Sequence, residues 1–257
     1  INTTMRRYLE DGILREHSDG FILTTRTIPG GRERTGLMIA LDLEAYDYQP
    51  GSQSLIRASE GTVVERLPPR AAIRRKAPLE VPHVMVLIDD PERTVIEPLL
   101  DEELPRVYDV ELMEQSGHVT GRIVRQERLL RQVAINLARL SSPELFSSRY
   151  GVTDRPPLLY AMGDGNHSFA TAKLVWEQLK QQAGDAASLA NHPARYALVE
   201  LVNVHDDGLE FEPIHRLVGG IALTELLARM DTFYQQAGSA CSHEIGRASC
   251  RERVCHR

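Results

Sequence analysis

The stretch Leu158-Leu159-Tyr160-Ala161-Met162-Gly163-Asp164-Gly165-Asn166-His167-Ser168 changes its pattern abruptly half-way along. Its first residues form an apolar run after Pro156-Pro157, which predicts a buried strand. The residues after Ser168 place apolar side chains at helical spacing, with charged and amide side chains between them. We therefore predict a strand, a tight polar turn and a helix over residues 157–182.

The polar turn, residues 163–168, is called the motif loop below. Its two glycines permit positive φ or close approach of a ligand to the backbone. The first helical turn leaves N–H groups unpaired, which favours anions there. Asp164 and His167 add a carboxylate and an imidazole. The simpler alternative is a loop whose polar residues only cap the helix, and the candidate caps are Asp164, Asn166 and Ser168.

The remaining chain mixes strand and helix patterns. Two hairpins are predicted, one from β-branched runs at 21–27 and 35–43 and one at 107–113 and 119–124. Because hairpins occur together with strand–helix units, the sequence predicts a mixed sheet with flanking helices, a mixed α+β fold. The other predicted strands are 82–89 and 195–204, with a last apolar segment at 211–218. The other predicted helices cover 4–16, 63–77 after a short turn, 91–104, 126–140 and 223–234.

Composition excludes several classes of protein. The chain has 257 residues, 42% hydrophobic and 26% charged, with a net charge of −6, so it lacks the basic character of nucleic-acid or anionic-membrane binders. It contains no apolar run of about 18 residues, so we expect no transmembrane helix. The absence of cysteine before residue 241 excludes a disulfide framework and favours the cytoplasm.

The last residues differ from the rest. Residues 244–254 match, residue for residue, the translation of a common sequencing adapter, so we expect residues 244–257 to be artefactual and without a fixed fold. The expected natural chain is then a single domain over 1–243, cut at one or both ends. Without the tail it carries 26 Lys and Arg against 34 Asp and Glu, a net charge of −8.

Three polar clusters outside the motif loop have a simple and a functional interpretation. Asp89-Asp90 at a strand end could hold a metal, but Asp90 before Pro91 more simply caps a helix. The arginine-rich stretch at 63–77 is either a solvated helix face or a positively charged surface that faces a phosphate or carboxylate. His215-Arg216 closes an apolar segment, either at the surface or near the motif loop.

Three stretches together resemble the family called domain of unknown function 1015 (DUF 1015). They are residues 34–47, residues 163–172 and residues 203–217, and the resemblance spans nearly all of residues 1–243. In much of that family the middle motif resembles Asp-Gly-His-His-Arg-Tyr. Here Asn166 and Ser168 stand where one motif His and the Arg would be, and His167 matches the motif.

That motif also resembles the nucleotide-binding motif of the ParB and sulfiredoxin-like superfamily, which includes free serine kinases. The resemblance implies that Gly163 to Ser168 cradle a phosphate at the helix start. Ser168 in place of Arg weakens the expected stabilisation of a γ-phosphate, because Arg makes bidentate phosphate contacts that Ser cannot.

The first hypothesis is therefore a phosphotransferase that uses ATP or ADP and Mg²⁺ and acts on a small metabolite such as serine. Asp164 or Glu60 would act as base and His167 would be catalytic, with Asp164 also the metal ligand. The candidate phosphate or nucleotide ligands are Gly163, Gly165, Asn166, Ser168, Arg57, His215 and Arg216.

Other hypotheses stay open. A nucleotide-sensing module without turnover is favoured slightly by Ser168. A metal-assisted hydrolase would use Asp164, His167 and His215, although their spacing is not that of a known ligand motif. A DNA-binding role is disfavoured by the acidic charge and by the lack of a basic helix-turn-helix pattern. The sequence does not indicate an oligomeric state.

Overall fold

The computed structural model describes residues 1–14, 16–17, 20–28, 30–80, 83–183, 189–209, 218–236 and 238. The chain divides into two compact units, residues 1–210 and residues 211–257. His215, Arg216 and the predicted tail lie outside the described residues, so the predictions made for them stay predictions, as does the single domain over 1–243.

The described part of the first unit contains nine strands and five α-helices. The strands are β1 (Phe21–Thr27), β2 (Glu33–Asp42), β3 (Tyr46–Asp47), β4 (Ile56–Arg57), β5 (Met85–Ile88), β6 (Arg106–Glu111), β7 (His118–Val124), β8 (Tyr160–Asp164) and β9 (Tyr196–Asn203). The helices are α1 (Asn2–Glu10), α2 (Leu67–Arg74), α3 (Glu127–Leu140), α4 (Pro143–Tyr150) and α5 (Asn166–Ala183). The second unit contributes α6 (Leu223–Gln236).

All nine strands join one sheet in the order β3-β4-β8-β5-β9-β2-β1-β7-β6. The hairpins β1–β2 and β6–β7 are antiparallel, as predicted, and β1 also pairs antiparallel with β7. By contrast, β5 runs parallel to β9 and β4 runs parallel to β8. The predicted mixed α+β fold is confirmed.

The main core lies between one face of this sheet and helices α2, α3 and α5. Alternate residues of β2 and β9 turn inward, and Leu37 and Leu201 are fully buried. Leu129 of α3 and Phe169 of α5 belong to the same buried cluster. The alternation follows from the two-residue period of a strand. Within the described residues, no helix is both long and apolar enough to cross a membrane.

The predicted helix over 91–104 is wrong. The chain instead makes a turn and then a short 3₁₀ helix, Glu97–Asp101. Asp90 explains the difference, because its buried carboxylate accepts the N–H groups of Thr94 (2.6 Å) and Val95 (2.9 Å). Arg93 takes a positive φ of 53° inside this turn, which an α-helix excludes. Asp90 was expected to cap a helix, and its carboxylate instead stabilises a turn.

A smaller difference is at the N-terminus. The first helix was predicted to run to residue 16, but α1 ends at Glu10. Gly12 follows with a φ of 64°, a conformation that stops a helix.

We predict that Asp90→Ala lowers the free energy of unfolding by about 2 kcal/mol, because buried N–H groups lose their acceptor. Urea unfolding measures the change. Glu92→Ala is the matched control: Glu92 pairs with Arg139 at the surface, so its loss is expected to stay within about 0.5 kcal/mol. Equal effects of the two substitutions would contradict this account of the turn.

Candidate functional site

The motif loop lies where β8 leads into α5. Strand β8 ends at Asp164, Gly165 forms the turn, and α5 begins at Asn166. The predicted strand, turn and helix over residues 157–182 are confirmed. The first main-chain bond of α5 runs from the Phe169 N–H to the Gly165 carbonyl (3.0 Å). The N–H groups before Phe169 thus have no partner within the helix, which is the arrangement that attracts an anion.

Gly165 is required at the turn for two reasons. Its φ is 80°, a left-handed conformation that side chains disfavour. In addition, a Cβ at this position would lie 2.8 Å from the His83 carbonyl oxygen and 3.0 Å from Val84 Cα. The motif loop therefore packs directly against the backbone that enters β5.

A β-bulge decides which way Asp164 faces. Met85 of β5 pairs with Asp164 and Val86 pairs with Met162, so Gly163 is the extra residue on β8. A bulge re-aims the side chain that follows it. Met85 also pairs with Glu200 of β9. Asp164 and Glu200 are thus in register with the same residue of β5, on the face opposite the main core.

The loop after β4 is fastened to the motif loop by side chains. The Asn166 Nδ2 group donates to Thr62 Oγ1 (3.1 Å) and to the Glu60 carbonyl (3.4 Å). The Val63 N–H donates to His167 Nε2 (3.2 Å), so the imidazole proton is on Nδ1. The bond to Glu60 is to its backbone carbonyl, so it brings the main chain of the predicted base next to Asn166.

The remaining motif residues differ in how free they are to bind a ligand. Asn166 is buried, and its Oδ1 also accepts from the Tyr46 hydroxyl (3.4 Å), so its amide serves the protein interior. Asp164 is exposed, and its Oδ1 accepts the N–H of Gly165 (2.6 Å), one residue before the helix begins. Gly163 is exposed and Ser168 is half-buried.

Arg57 was expected to bind phosphate, but its guanidinium lies elsewhere. Its Nη2 donates to the carbonyls of Pro156 (2.8 Å) and Pro157 (3.3 Å). Those residues precede β8, whereas the motif loop follows it. Burial lowers the pKa of Arg57, and Arg155 adds to the effect. The geometry therefore does not bring Arg57 to the motif loop.

Sequence reasoning missed a group of charged residues beside the motif loop. Glu200 is 5% exposed, although it lies in the middle of β9. Arg34 of β2 donates to both of its carboxylate oxygens, at 2.9 and 3.2 Å. His83 Nε2 lies 2.7 Å from Glu200 Oε2. The one sequence signal for this group was the position of Glu200, a charged residue inside the otherwise apolar strand β9.

The contacts among Glu200, Arg34 and His83 shift the pKa values of Glu200 and His83. Burial alone would raise the pKa of Glu200, but the hydrogen bond with His83 and the charge of Arg34 outweigh it and lower that pKa. The hydrogen bond to Glu200 raises the pKa of His83 against the effect of burial. The charges of Glu200 and Asp164 also raise it, while Arg34 opposes them. Asp164 and His83 therefore interact electrostatically.

Two of the stretches that carry the family resemblance meet here. In the first, Gly36 leaves room for Glu200, since a Cβ on Gly36 would lie 2.6 Å from Glu200 Oε1. The Thr35 N–H donates to Asp206 Oδ2 (3.0 Å), which belongs to the third stretch. The contacts of Glu200 thus explain why Arg and Gly occupy positions 34 and 36. Asp206 positions the β2 backbone beside them.

The family model described as "Protein of unknown function (DUF1015)" matches residues 1–253. The chain belongs to this family. The matched range runs past residue 243 into the stretch predicted to be adapter-derived. No curated protein matches the chain, and no solved structure matches it. Membership thus gives the family without an activity, and the chemistry must be argued from the site.

Among the described residues, no group of three or more His, Cys, Asp or Glu side chains is placed to hold a metal ion. A fully protein-ligated metal centre is therefore not formed by this part of the chain. Mg²⁺ in phosphotransfer sites needs less, since it is commonly held by one or two carboxylates together with phosphate oxygens and water. The exposed carboxylate of Asp164 fits that requirement.

We predict that Gly165→Ala is more destabilising than Gly151→Ala by at least about 1 kcal/mol. Both glycines have positive φ, 80° and 66°, so both alanines carry the backbone strain of about 1 kcal/mol. Only at Gly165 does the new Cβ meet backbone atoms, and around Gly151 nothing lies within 4 Å. Denaturant unfolding of the two variants measures the difference, and equal losses would refute the close packing.

We predict that Glu200→Gln lowers the free energy of unfolding by about 3 kcal/mol near neutral pH, because it leaves Arg34 without its charge partner. The folded pKa of Glu200 lies below the unfolded value of 4.5. Its contribution is therefore present above that pH and lost as the pH falls through the folded pKa.

The matched control is Glu111→Gln. Glu111 also pairs with a histidine, His118, but its side chain is 80% exposed, so we expect a change within about 0.5 kcal/mol. Unfolding curves at several pH values make the comparison. A wild-type advantage over Glu200→Gln that does not shrink in acid would contradict the assignment.

Proposed function

We propose that this protein transfers a phosphoryl group from a nucleotide to the hydroxyl of a small metabolite such as serine. The observation that carries the proposal is the motif loop itself. A strand delivers an exposed carboxylate, Asp164, to the start of α5, where N–H groups are free of helical partners. The resemblance of this loop to the nucleotide-binding motif of the ParB and sulfiredoxin-like superfamily supports the same proposal.

In this proposal the start of α5 holds the phosphates of ATP or ADP. Gly163 is exposed, so phosphate can approach the backbone there, whereas the side of Gly165 that a Cβ would occupy is filled by His83 and Val84. His167 has its Nε2 occupied by the Val63 N–H, so its Nδ1–H is the donor for a phosphate oxygen. Mg²⁺, when bound, supplies charge neutralisation between the phosphates and Asp164.

The transfer itself requires a proton acceptor near the attacking oxygen. Asp164 or Glu60 takes the proton of the substrate hydroxyl. The hydroxyl oxygen forms a bond to the terminal phosphorus, and the bond from that phosphorus to the bridging oxygen breaks. The electron pair stays on the shortened nucleotide. Glu60 is available for this role because its loop is tied to Asn166 while its side chain is exposed.

One observation favours a second function, a nucleotide sensor without turnover. Ser168 occupies the position at which the resembled motif has Arg, and Arg gives the stronger contact to a transferred phosphoryl group. Incubation of the protein with ATP or ADP, Mg²⁺ and serine separates the two functions. Phosphoserine indicates the kinase, and thermal stabilisation by nucleotide without product indicates the sensor. Both outcomes are compatible with nucleotide binding. If neither product nor stabilisation is observed, nucleotide binding is refuted.

We predict that Asp164→Asn and His167→Ala each abolish activity or the response to nucleotide while the melting temperature stays near that of the wild type. Asparagine caps a helix about as well as aspartate, so Asp164→Asn removes the charge and preserves a capping role. Product formation, nucleotide affinity and melting temperature are measured together.

The control is Asp154→Asn, an exposed aspartate in the segment before β8, which is expected to change none of these properties. An active and normally stable Asp164→Asn variant would leave Asp164 with a structural role only. Loss of function in that variant with an unchanged melting temperature would support a role for its charge.

A further inference from the structure

The residues around Glu200 form a charged cluster on the strands that flank the motif loop. Glu200 carries one negative charge and contacts two cationic side chains, Arg34 at 2.9 Å and His83 at 2.7 Å. Both partners approach the same buried carboxylate, so a single anion balances two cations when His83 is protonated. The cluster then has one positive charge in excess.

That excess charge is located toward the motif loop. Arg34 is largely buried, its side chain 12% exposed, whereas the His83 side chain is 51% exposed. The backbone of His83 is the surface against which Gly165 packs. Asp164 is the residue of the loop whose charge acts on His83. The exposed part of the cluster is therefore the imidazole of His83, whose backbone packs against the loop that leads into α5.

If the motif loop binds a phosphate, the positive side chain that contacts it must come from another part of the chain. The resembled motif carries an Arg at the position of Ser168, and Arg57 is directed to Pro156 and Pro157 instead. A helix start binds phosphate through N–H groups, but a charge-assisted contact is about twice as strong as a neutral one. Among the described residues, His83 is the cationic side chain whose backbone packs directly against this loop.

We infer that the imidazolium of His83, held by Glu200 and Arg34, is the cationic contact for the anion bound at the motif loop. His83 gives its Nε2–H to Glu200 and keeps its Nδ1–H for a phosphate oxygen. This inference rests on the proposed function in that the expected anion is the phosphate chain of a nucleotide. It assigns the role of the missing motif arginine to a residue 85 positions away from Ser168.

The inference has a consequence for pH. The groups that act on the His83 ring are Glu200 from β9, Arg34 from β2 and Asp164 from β8. Tyr108 of β6 also lies near Glu200, and burial together with the charge of Glu200 raises the pKa of that phenol. An anion bound next to His83 raises its pKa further. By linkage, affinity for the anion falls as the pH rises through the pKa of His83.

The experiment uses the full chain and two probes, inorganic pyrophosphate with Mg²⁺ and ADP with Mg²⁺. Affinity is measured by calorimetry at several pH values between 5.5 and 9 (roughly the range over which histidine titrates). NMR follows the imidazole resonances of the wild type with and without each probe. The variant is His83→Gln, which keeps a hydrogen bond to Glu200 and cannot be charged.

The matched control is His118→Gln. His118 also contacts carboxylates, Asp109 and Glu111, but it begins β7, which four strand-to-strand steps separate from β5 in the sheet. We expect His83→Gln to weaken pyrophosphate binding roughly tenfold, the usual weight of one charge-assisted hydrogen bond, and to leave only the pH dependence that comes from the titration of pyrophosphate itself. We expect His118→Gln to bind like the wild type, and we expect the titration of His83, but not that of His118, to shift when probe is added.

The outcomes separate this inference from the proposed function. If pyrophosphate binds through His83 but ADP does not bind, the inference stands and the nucleotide-dependent function fails. If ADP binds the wild type and His83→Gln equally well, the inference fails and the proposed function stands. If neither probe changes the titration of His83 in the wild type, the inference is overturned whatever the variant does.

Discussion

The burial of one carboxylate, that of Glu200, constrains the centre of the sheet. An ionised carboxylate removed from water is stable only when cations and donors surround it, and here they come from different strands. Arg34 supplies them from β2 and His83 from the entry to β5. Gly36 supplies the space. The charge therefore fixes the relative positions of three neighbouring strands.

The contacts around Glu200 also determine the position of the motif loop. Its glycine turn packs on the backbone at His83, and the bulge at Gly163 places Asp164 in register with Met85, the residue that also pairs with Glu200. The loop after β4 is then attached through Asn166 and His167. An exposed loop built on such contacts is held in place by the sheet, and the proposed positioning of phosphates depends on that.

Local patterns predicted most of the fold. Apolar alternation and turn residues were enough for both hairpins, for α3 and for the strand–turn–helix around Asp164, because each is decided by neighbours in the chain. The segment after Pro91 was mispredicted because a single buried side chain, Asp90, captures the N–H groups that a helix would have used. Its role could not be inferred from helix periodicity.

The charged part of the site was harder to predict. Arg34 and Glu200 are 166 residues apart and His83 and Glu200 are 117 apart, so only strand order brings them together. The position of Arg57 depends on a different kind of contact: β4 runs next to β8, but the Arg57 guanidinium donates to the carbonyls of Pro156 and Pro157, which precede β8.

The bond between the Val63 N–H and His167 Nε2 couples two properties that are usually independent. Nε2 accepts this hydrogen only while it carries no proton of its own. The two properties are the tautomer of His167 and the attachment of the loop after β4. While the loop stays attached at Val63, the imidazole is held in the tautomer with its proton on Nδ1, and opening of the loop frees the ring for the other tautomer. Hydrogen exchange at the Val63 amide reports that opening.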